Sequence, residues 1–319
     1  MSICVLGSLN MDLVIHTPHF PAPGETIAGS RFQQIPGGKG ANQALAAARL
    51  GASVQMVGRV GADAWGEALC RNLAAGGVNT DGVQVDPQNH TGLAFITVAQ
   101  SGTHAAENQI ILAPGANAAV NHQDRAILRS LLSHAQILLL QLEIPIDEVL
   151  EAAQEARKQG ITVILDPAPA PSVFASDFFA VAQIITPNQQ EASQLLGFPV
   201  ETIEDAKKAI ELFCDRGVAI PLITLGHQGV VCYNPDRQST QHYPAFTVPV
   251  VDTTAAGDAF NGALAVALLE AKPLEQAIPW GMAAAALAVQ QSGAQTSLPD
   301  RGAFDTFLAL HTAPPGVTI

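Results

Sequence analysis

Apolar and polar positions fall into short blocks along the chain. The apolar run Ile3 to Gly7 predicts a buried strand. A polar corner, Ser8 to Asp12, follows it, and Leu13 to His16 predicts a second short strand. Thr17 to Gly29 holds three prolines and two glycines, which predicts a loop. Past Gly37-Gly38-Lys39-Gly40, an alanine-rich helix is predicted over Ala41 to Leu50, closed by Gly51. A strand over Ser53 to Val60 and a helix over Trp65 to Ala75 continue the alternation.

The middle breaks this order. Gly92 to Ala99 and Gln109 to Leu112 predict two strands around a polar turn, Gln100 to Asn108, and so a hairpin. With the extended segment near Thr26 to Ile35 it predicts a small antiparallel sheet. Alternation resumes with strands over Ala135 to Leu142, Ile161 to Leu165, Gln183 to Ile185 and Ala219 to Leu225. Helices are predicted over Ile146 to Gln159 and Gln189 to Leu196, and Thr202 to Asp205 matches a capping box. Gly229 to Tyr233 and His242 to Pro249 predict further strands, and two alanine-rich helices follow Ala256, divided near Lys272-Pro273. The pattern predicts an α/β fold: a mostly parallel central sheet with helices on both faces, plus the small antiparallel β sheet. Without an internal repeat or a long linker, residues 1–319 are expected to form a single domain.

Composition narrows the function. Hydrophobic residues make up 48% of the 319 and charged residues 13%, which excludes a disordered chain. A spanning helix needs about 20 apolar residues; Ala255 to Ala271 is interrupted by Asp258, Asn261 and Glu270, so no membrane partner is expected. The net charge of −13, with no basic run, argues against nucleic acid. Four scattered cysteines, Cys4, Cys70, Cys214 and Cys232, and an N-terminus without a signal peptide point to the cytoplasm.

Neither a P-loop nor a dinucleotide fingerprint occurs, which disfavours a P-loop enzyme and a dehydrogenase. The strongest chemical signal is Val251 to Gly262, VDTTAAGDAFNG. Thr253 and Thr254 are expected helix N-caps, and the small residues after them let a ligand approach backbone amides that favour an anion. Asp258 lies inside this anion hole. An acid in a first turn also offsets the helix dipole; the small-residue run and a second acid, Asp252, favour a base beside phosphoryl-binding donors. Gly37 to Gln43 allows close backbone approach at a helix start, with Lys39 and Asn42 as polar groups, although a tight turn would use the same glycines. Asn10 and Asp12 follow the first strand and Glu143 follows another, where ligands of parallel sheets sit; turn and loop roles account for each alone. Asn188 and Glu191 suit a capping box, and Thr224 to Gly229 suits a hairpin.

Together these segments resemble the ribokinase-like PfkB carbohydrate kinases from Ile3 to about Pro299. The resemblance rests on Gly7 to Asp12, Pro23 to Thr26, Gly37 to Gln43, Gly115 to Ala118, Gln141 to Glu143, Asp166 to Ala170, Thr186 to Asn188 and Asp252 to Gly262. It implies ATP-dependent phosphorylation of D-ribose at the 5-hydroxyl. Asp258 would be the base, with Ala255 to Asp258 supplying anion-hole amides. Asn10, Asp12, Gly38, Lys39, Asn42 and Glu143 would hold the sugar. Asn188, Thr224, Gly226, Gly229, Gly257 and Met282 would lie around ATP, with Glu191 reaching Mg2+ through water. Asp252, Thr254, Ala288, Gln291, Gly293 and Ser297 would bind an activating K+. The small sheet, with strands from about 13–35 and 91–113, would be a lid over the sugar and the contact of a homodimer. Where Met282 stands relatives often carry a polar residue, Gln189 replaces a frequent Glu, and His227-Gln228 replace Ser and Arg. Alternatives are a kinase for another sugar such as deoxyribose, or a non-catalytic sugar-binding member of the fold.

Overall fold

The first strand sets the architecture. In β1 (Ser2–Leu6) every residue is buried; Ile3 and Val5 enter one apolar core while Cys4 and Leu6 enter another. Successive side chains on a strand face opposite ways, so β1 lies inside a sheet covered on both faces. The computed structural model describes residues 2–99, 107–172 and 176–319.

After β1, β2 (Asn10–Thr17) and β3 (Arg31–Gly37) lead into α1 (Lys39–Arg49), followed by β4 (Val54–Gly61), α2 (Ala64–Ala75), β5 (Val78–Asp86), β6 (Gly92–Ala99) and β7 (Glu107–Ala113). Next come α3 (His122–Leu132), β8 (Ala135–Leu140), α4 (Ile146–Lys158), β9 (Thr162–Leu165), α5 (Asp177–Val181), β10 (Ile184–Ile185), α6 (Gln189–Leu196), α7 (Ile203–Asp215) and β11 (Ile220–Thr224). The chain ends with β12 (Val230–Asn234), β13 (Ser239–Tyr243), α8 (Ala256–Leu269), α9 (Leu274–Ala288), α10 (Arg301–Leu310) and β14 (Val317–Thr318).

Ten strands form the main sheet in the order β14-β13-β12-β11-β10-β9-β8-β1-β4-β5. It is parallel from β5 to β11 and antiparallel from β11 to β14. Four strands form the small sheet, β3-β2-β6-β7. Its outer pairs are antiparallel, and its central pair, β2–β6, is parallel because the crossover through α1, β4, α2 and β5 separates them. Residues 7–9 carry the chain from the carboxyl end of β1 into this sheet.

Several expectations change. Asn10, Met11 and Asp12 lie in β2 rather than in a turn, because they pair with Gly37, Pro36 and Ile35 on one side and Gly92, Leu93 and Ala94 on the other. β13 ends at Tyr243, and 244–250 is irregular instead of a strand to Pro249; Pro244 and Pro249 have no amide hydrogen to pair. β5, α3 and α10 were not expected. The predicted turn at 100–108 falls mostly on 100–106, outside the described residues; the β6–β7 hairpin pairs on either side of it.

The alanine content has a structural use. From Asp258 to Ala267 every residue of α8 is buried, and Gly40 to Ala47 of α1 are buried against it. Gly262 marks their crossing: a Cβ there would lie 2.6 Å from Ala46 Cβ and 3.0 Å from Gln43 O. Among the described residues, no helix is long and apolar enough to cross a membrane.

Candidate active site

Five neighbouring strands, β1, β8, β9, β10 and β11, end at one cleft. Each delivers polar groups at or just past its carboxyl end: Ser8 and Asn10, Glu143, Asp166, Asn188, and Thr224. This is where parallel α/β sheets bind ligands.

The α1–α8 crossing builds the centre. Asn42 is four residues before Ala46 and Asp258 four before Gly262, so each lies one turn from the close contact. Asn42 Nδ2 donates to Asp258 Oδ2 at 2.8 Å and Gln43 Nε2 to Oδ1 at 3.1 Å. Asp258 is 4% exposed. Burial pushes its carboxyl above the usual range, against the pull of Lys39 and the two amides. Burial also pushes Asp166 well above its usual range, opposed by Lys39, whose Nζ lies 4.0 Å from Asp166 Oδ2. Burial pulls the Lys39 ammonium down, but Asp166, Asp258, Glu143 and Glu191 outweigh it and raise it.

On the small-sheet side, Glu143 Oε2 accepts from Ser8 Oγ at 2.6 Å, Lys39 N at 3.1 Å and Asn10 Nδ2 at 3.4 Å. It thereby ties the start of α1 to β2. Asn117 fixes Asn10 further, with Nδ2 2.7 Å from Asn10 Oδ1. Asp12 is buried beside them, and burial, then Glu143 and Asp258, push its carboxyl up to about 7. Gly38 sits at φ +88°, where a Cβ would lie 2.6 Å from Asn10 N. Only glycine fits this turn.

The other half is a helix end without a side-chain cap. Neither Thr253 nor Thr254 caps α8: the N-cap is Ala255, held left-handed at φ +59°. Thr254 instead gives both its N–H and its hydroxyl to Asp252 Oδ1, at 2.9 and 2.7 Å. The first intrahelical bond runs from Ala259 N to Ala255 O, and Ala256 N reaches Thr253 O at 3.3 Å. Gly257 and Asp258 thus keep amides for an anion. Strain at a non-glycine left-handed residue costs about 1–3 kcal/mol and is typical of functional turns.

These amides border two connected spaces. A cleft of about 200 Å³ is lined by Lys39, Asp166, Thr186, Asn188, Glu191 and the 255–258 turn, among others. A cavity of about 400 Å³ lies beyond it, lined by Thr224, Gly226, Gly229, Gly257 and Met282, among others. Phe246, Val248, Ala285 and Val289 also line it; sequence spacing did not single them out. Asn188 and Glu191 do form the capping box, with Glu191 Oε2 accepting Asn188 N at 2.8 Å and Asn188 Oδ1 accepting Glu191 N at 2.9 Å, yet both also line the cleft. Gln189 points away, donating to Glu201 O at 3.0 Å. His227 is exposed on the wall of the larger cavity.

A loop pair lies behind the anion hole. Asp252 Oδ2 accepts Gly293 N at 2.8 Å, joining Asp252 and Thr254 to the 288–297 stretch that carries Ala288, Gln291 and Ser297. Burial raises the Asp252 carboxyl, but the Gly293 and Thr254 donors outweigh burial and hold it below its usual range. Ser297 Oγ donates to Ala294 O at 2.8 Å.

The sequence matches the pfkB family carbohydrate kinase over residues 1–301. The chain belongs to this family. It is 44% identical over 305 residues to a ribokinase of Haemophilus influenzae, covering 94% of this chain and 96% of that one. A deoxyribokinase of Salmonella typhi is 34% identical over 311 residues, covering 98% of this chain and all of that one. Among solved structures, Arabidopsis thaliana ribokinase complexed with ribose and ATP matches with a TM-score of 0.86 and 34% identity, over 96% of this chain and 98% of that one. In this pfkB member every expected sugar-side residue except Gly38 is joined by hydrogen bonds or electrostatics to one carboxylate cluster, and Gly38 forms its turn. Gln43, Gln141, Asp166 and Asn117 belong to the same network and were not anticipated as site residues.

Proposed function

We propose that this protein transfers the γ-phosphoryl group of ATP to the 5-hydroxyl of D-ribose. The observation that carries it is a buried carboxylate, Asp258, held by two amides in the first turn of a helix whose N-terminus has no side-chain cap. Asn10, Asp12, Gly38, Lys39, Asn42 and Glu143 hold the sugar between the small sheet and α1. Asp258 accepts the proton of the 5-hydroxyl, whose oxygen attacks the γ-phosphorus as ADP leaves. The amides of Gly257 and Asp258, with Ala255 and Ala256 shaping their turn, hold the charge that develops on the phosphoryl oxygens. A base of this kind is worth about 10²–10⁴-fold.

The nucleotide follows from position. Asn188, Thr224, Gly226, Gly229, Gly257 and Met282 surround it, the base in the larger cavity and the phosphates in the cleft. Magnesium is a hard cation that keeps several waters, and the cleft's carboxylate Glu191, with one oxygen not spent on the capping box, suits water-mediated contact with it; bound there, it neutralises phosphate charge. Asp252, Thr254, Ala288, Gln291, Gly293 and Ser297 are assigned to K+. An ionised carboxylate beside loop carbonyls is an all-oxygen donor set, which fits an alkali cation; bound there, it fixes the loop behind the anion hole.

Residues 1–319 act as one unit in this proposal, with the lid strands at about 13–35 and 91–113. Phe32, Phe95 and Ile111 are exposed on one face of the small sheet, which supports a homodimer through the lid. The four free thiols suit a cytoplasmic location. The test is coupled ADP production over a panel of sugars with MgATP, with and without K+. Ribose turnover with kcat/KM above that for deoxyribose supports the proposal; deoxyribose preference, or ribose binding without turnover, overturns it.

A further inference from the structure

Behind the two central carboxylates lie two glutamines that line neither the cleft nor the larger cavity. Gln43 and Gln141 are both 0% exposed. Gln43 Nε2 lies 2.9 Å from Asp166 Oδ2 and 3.1 Å from Asp258 Oδ1, and Gln141 Nε2 donates to Gln43 Oε1 at 2.7 Å. The hydrogen bonds orient the amide: Nε2 donates to one oxygen of each carboxylate, and Oε1 takes its donor from behind. Gln141 is that donor. A buried glutamine is costly where an apolar side chain would fill the same space, so its placement between two acids asks for a use.

We propose that Gln43 is a positioning residue for phosphoryl transfer, its single NH2 group locking Asp258 and Asp166 to each other while Gln141 sets the direction of that amide. This rests on Asp258 as the base. Asp258 and Asp166 both line the cleft assigned to the phosphates, Asp166 on the side of Lys39. One amide therefore fixes the distance between the base and the acid beside Lys39. Its bond to Asp258 also favours the ionised base against the burial that raises it. The charged groups around Asp258 are Lys39 of α1, Asp12 of β2, Glu143 after β8 and Asp166 after β9, with Glu191 of α6 coupled to Asp166. Lys39 is the sole cation among them, so removal of the Gln43 donor leaves four acids facing one ammonium and favours a protonated base.

The experiment compares Gln43→Met, Gln141→Met and Asp258→Asn by kcat, ribose KM, the pH profile of kcat/KM and thermal melting. Gln43→Met keeps the volume and removes the donor. It is expected to lower kcat tenfold or more at neutral pH and to move the acidic limb of kcat/KM up by about one pH unit. Ribose KM is expected to change less than about threefold, because Asn10, Asp12 and Glu143 are untouched. Gln141→Met leaves Gln43 in place and is expected to move the limb the same way by less, so the test stands even if Gln43→Met folds poorly. A wild-type acidic limb in either folded variant, with kcat tracking thermal stability alone, overturns the proposal. If Asp258→Asn retains turnover, the base assignment itself fails; if it is inactive while the glutamine variants keep the wild-type limb, only the positioning role fails.

Discussion

Gly262→Ala probes the geometry of the whole centre without touching a substrate-facing side chain. A Cβ at 262 would stand 2.6 Å from Ala46 Cβ and 3.0 Å from Ala47 N and Gln43 O. Carbon atoms pack at about 3.5–4.0 Å, so α1 and α8 must part by about 1 Å. The same shift carries Asn42 from Asp258, and a 2.8 Å bond stretched by about 1 Å is no longer a hydrogen bond. Overpacking costs about 1–3 kcal/mol of stability, and a misplacement of about 1 Å costs on the order of 10²-fold in rate. The assay is kcat/KM for ribose with a thermal melt, run beside the double variant Gly262→Ala/Ala46→Gly, which removes the 2.6 Å clash and leaves the two 3.0 Å backbone contacts. The single variant should lose about 10²-fold in kcat/KM and the double variant should regain at least tenfold of it. Activity within about threefold of wild type, or a double variant no better than the single, would refute the helix crossing as the device that aims Asp258.

Three further outcomes follow from the site. The larger cavity is walled mainly by Ala245, Phe246, Val248, Val250, Met282 and Val289, and an apolar pocket discriminates weakly, so GTP should support turnover with kcat/KM within about 10²-fold of ATP in a direct comparison. Asp12 titrates at about 7; sugar hydroxyls donate to its ionised form, so ribose KM should rise as pH falls from about 8 to 6, and Asp12→Asn should flatten that slope at a higher KM. The ligand-free fold keeps the Asp12 proton up to about 7 while the unfolded chain loses it near 3.8, so thermal melts should show stability falling as pH rises across that window, with a shallower fall in Asp12→Asn.

The α/β alternation was legible because most central strands are apolar runs ended by glycine or a polar corner, and most helices carry stop signals. β5 was not, because Asn79, Asp81 and Gln84 interrupt an edge strand whose register shifts against β4. The stretch to Pro249 looked like a strand because Phe246 and Val248 are apolar; they line the nucleotide cavity instead of a sheet. The sugar-side residues were visible as motifs at strand and helix ends. The amide network was not, since Gln43 finds Asp166 and Asp258 at separations of 123 and 215 residues, which no local spacing encodes. Nor was the cap of α8: Thr254 looked like one, and only the folded loop shows its hydroxyl turned to Asp252.

Asp258→Asn tests the central claim most directly. It keeps the shape of the side chain and removes the base, so ribose binding by calorimetry should persist while ribose-dependent ADP production falls by about 10²–10⁴-fold. A folded Asp258→Asn protein that turns over ribose within tenfold of wild type would contradict the account.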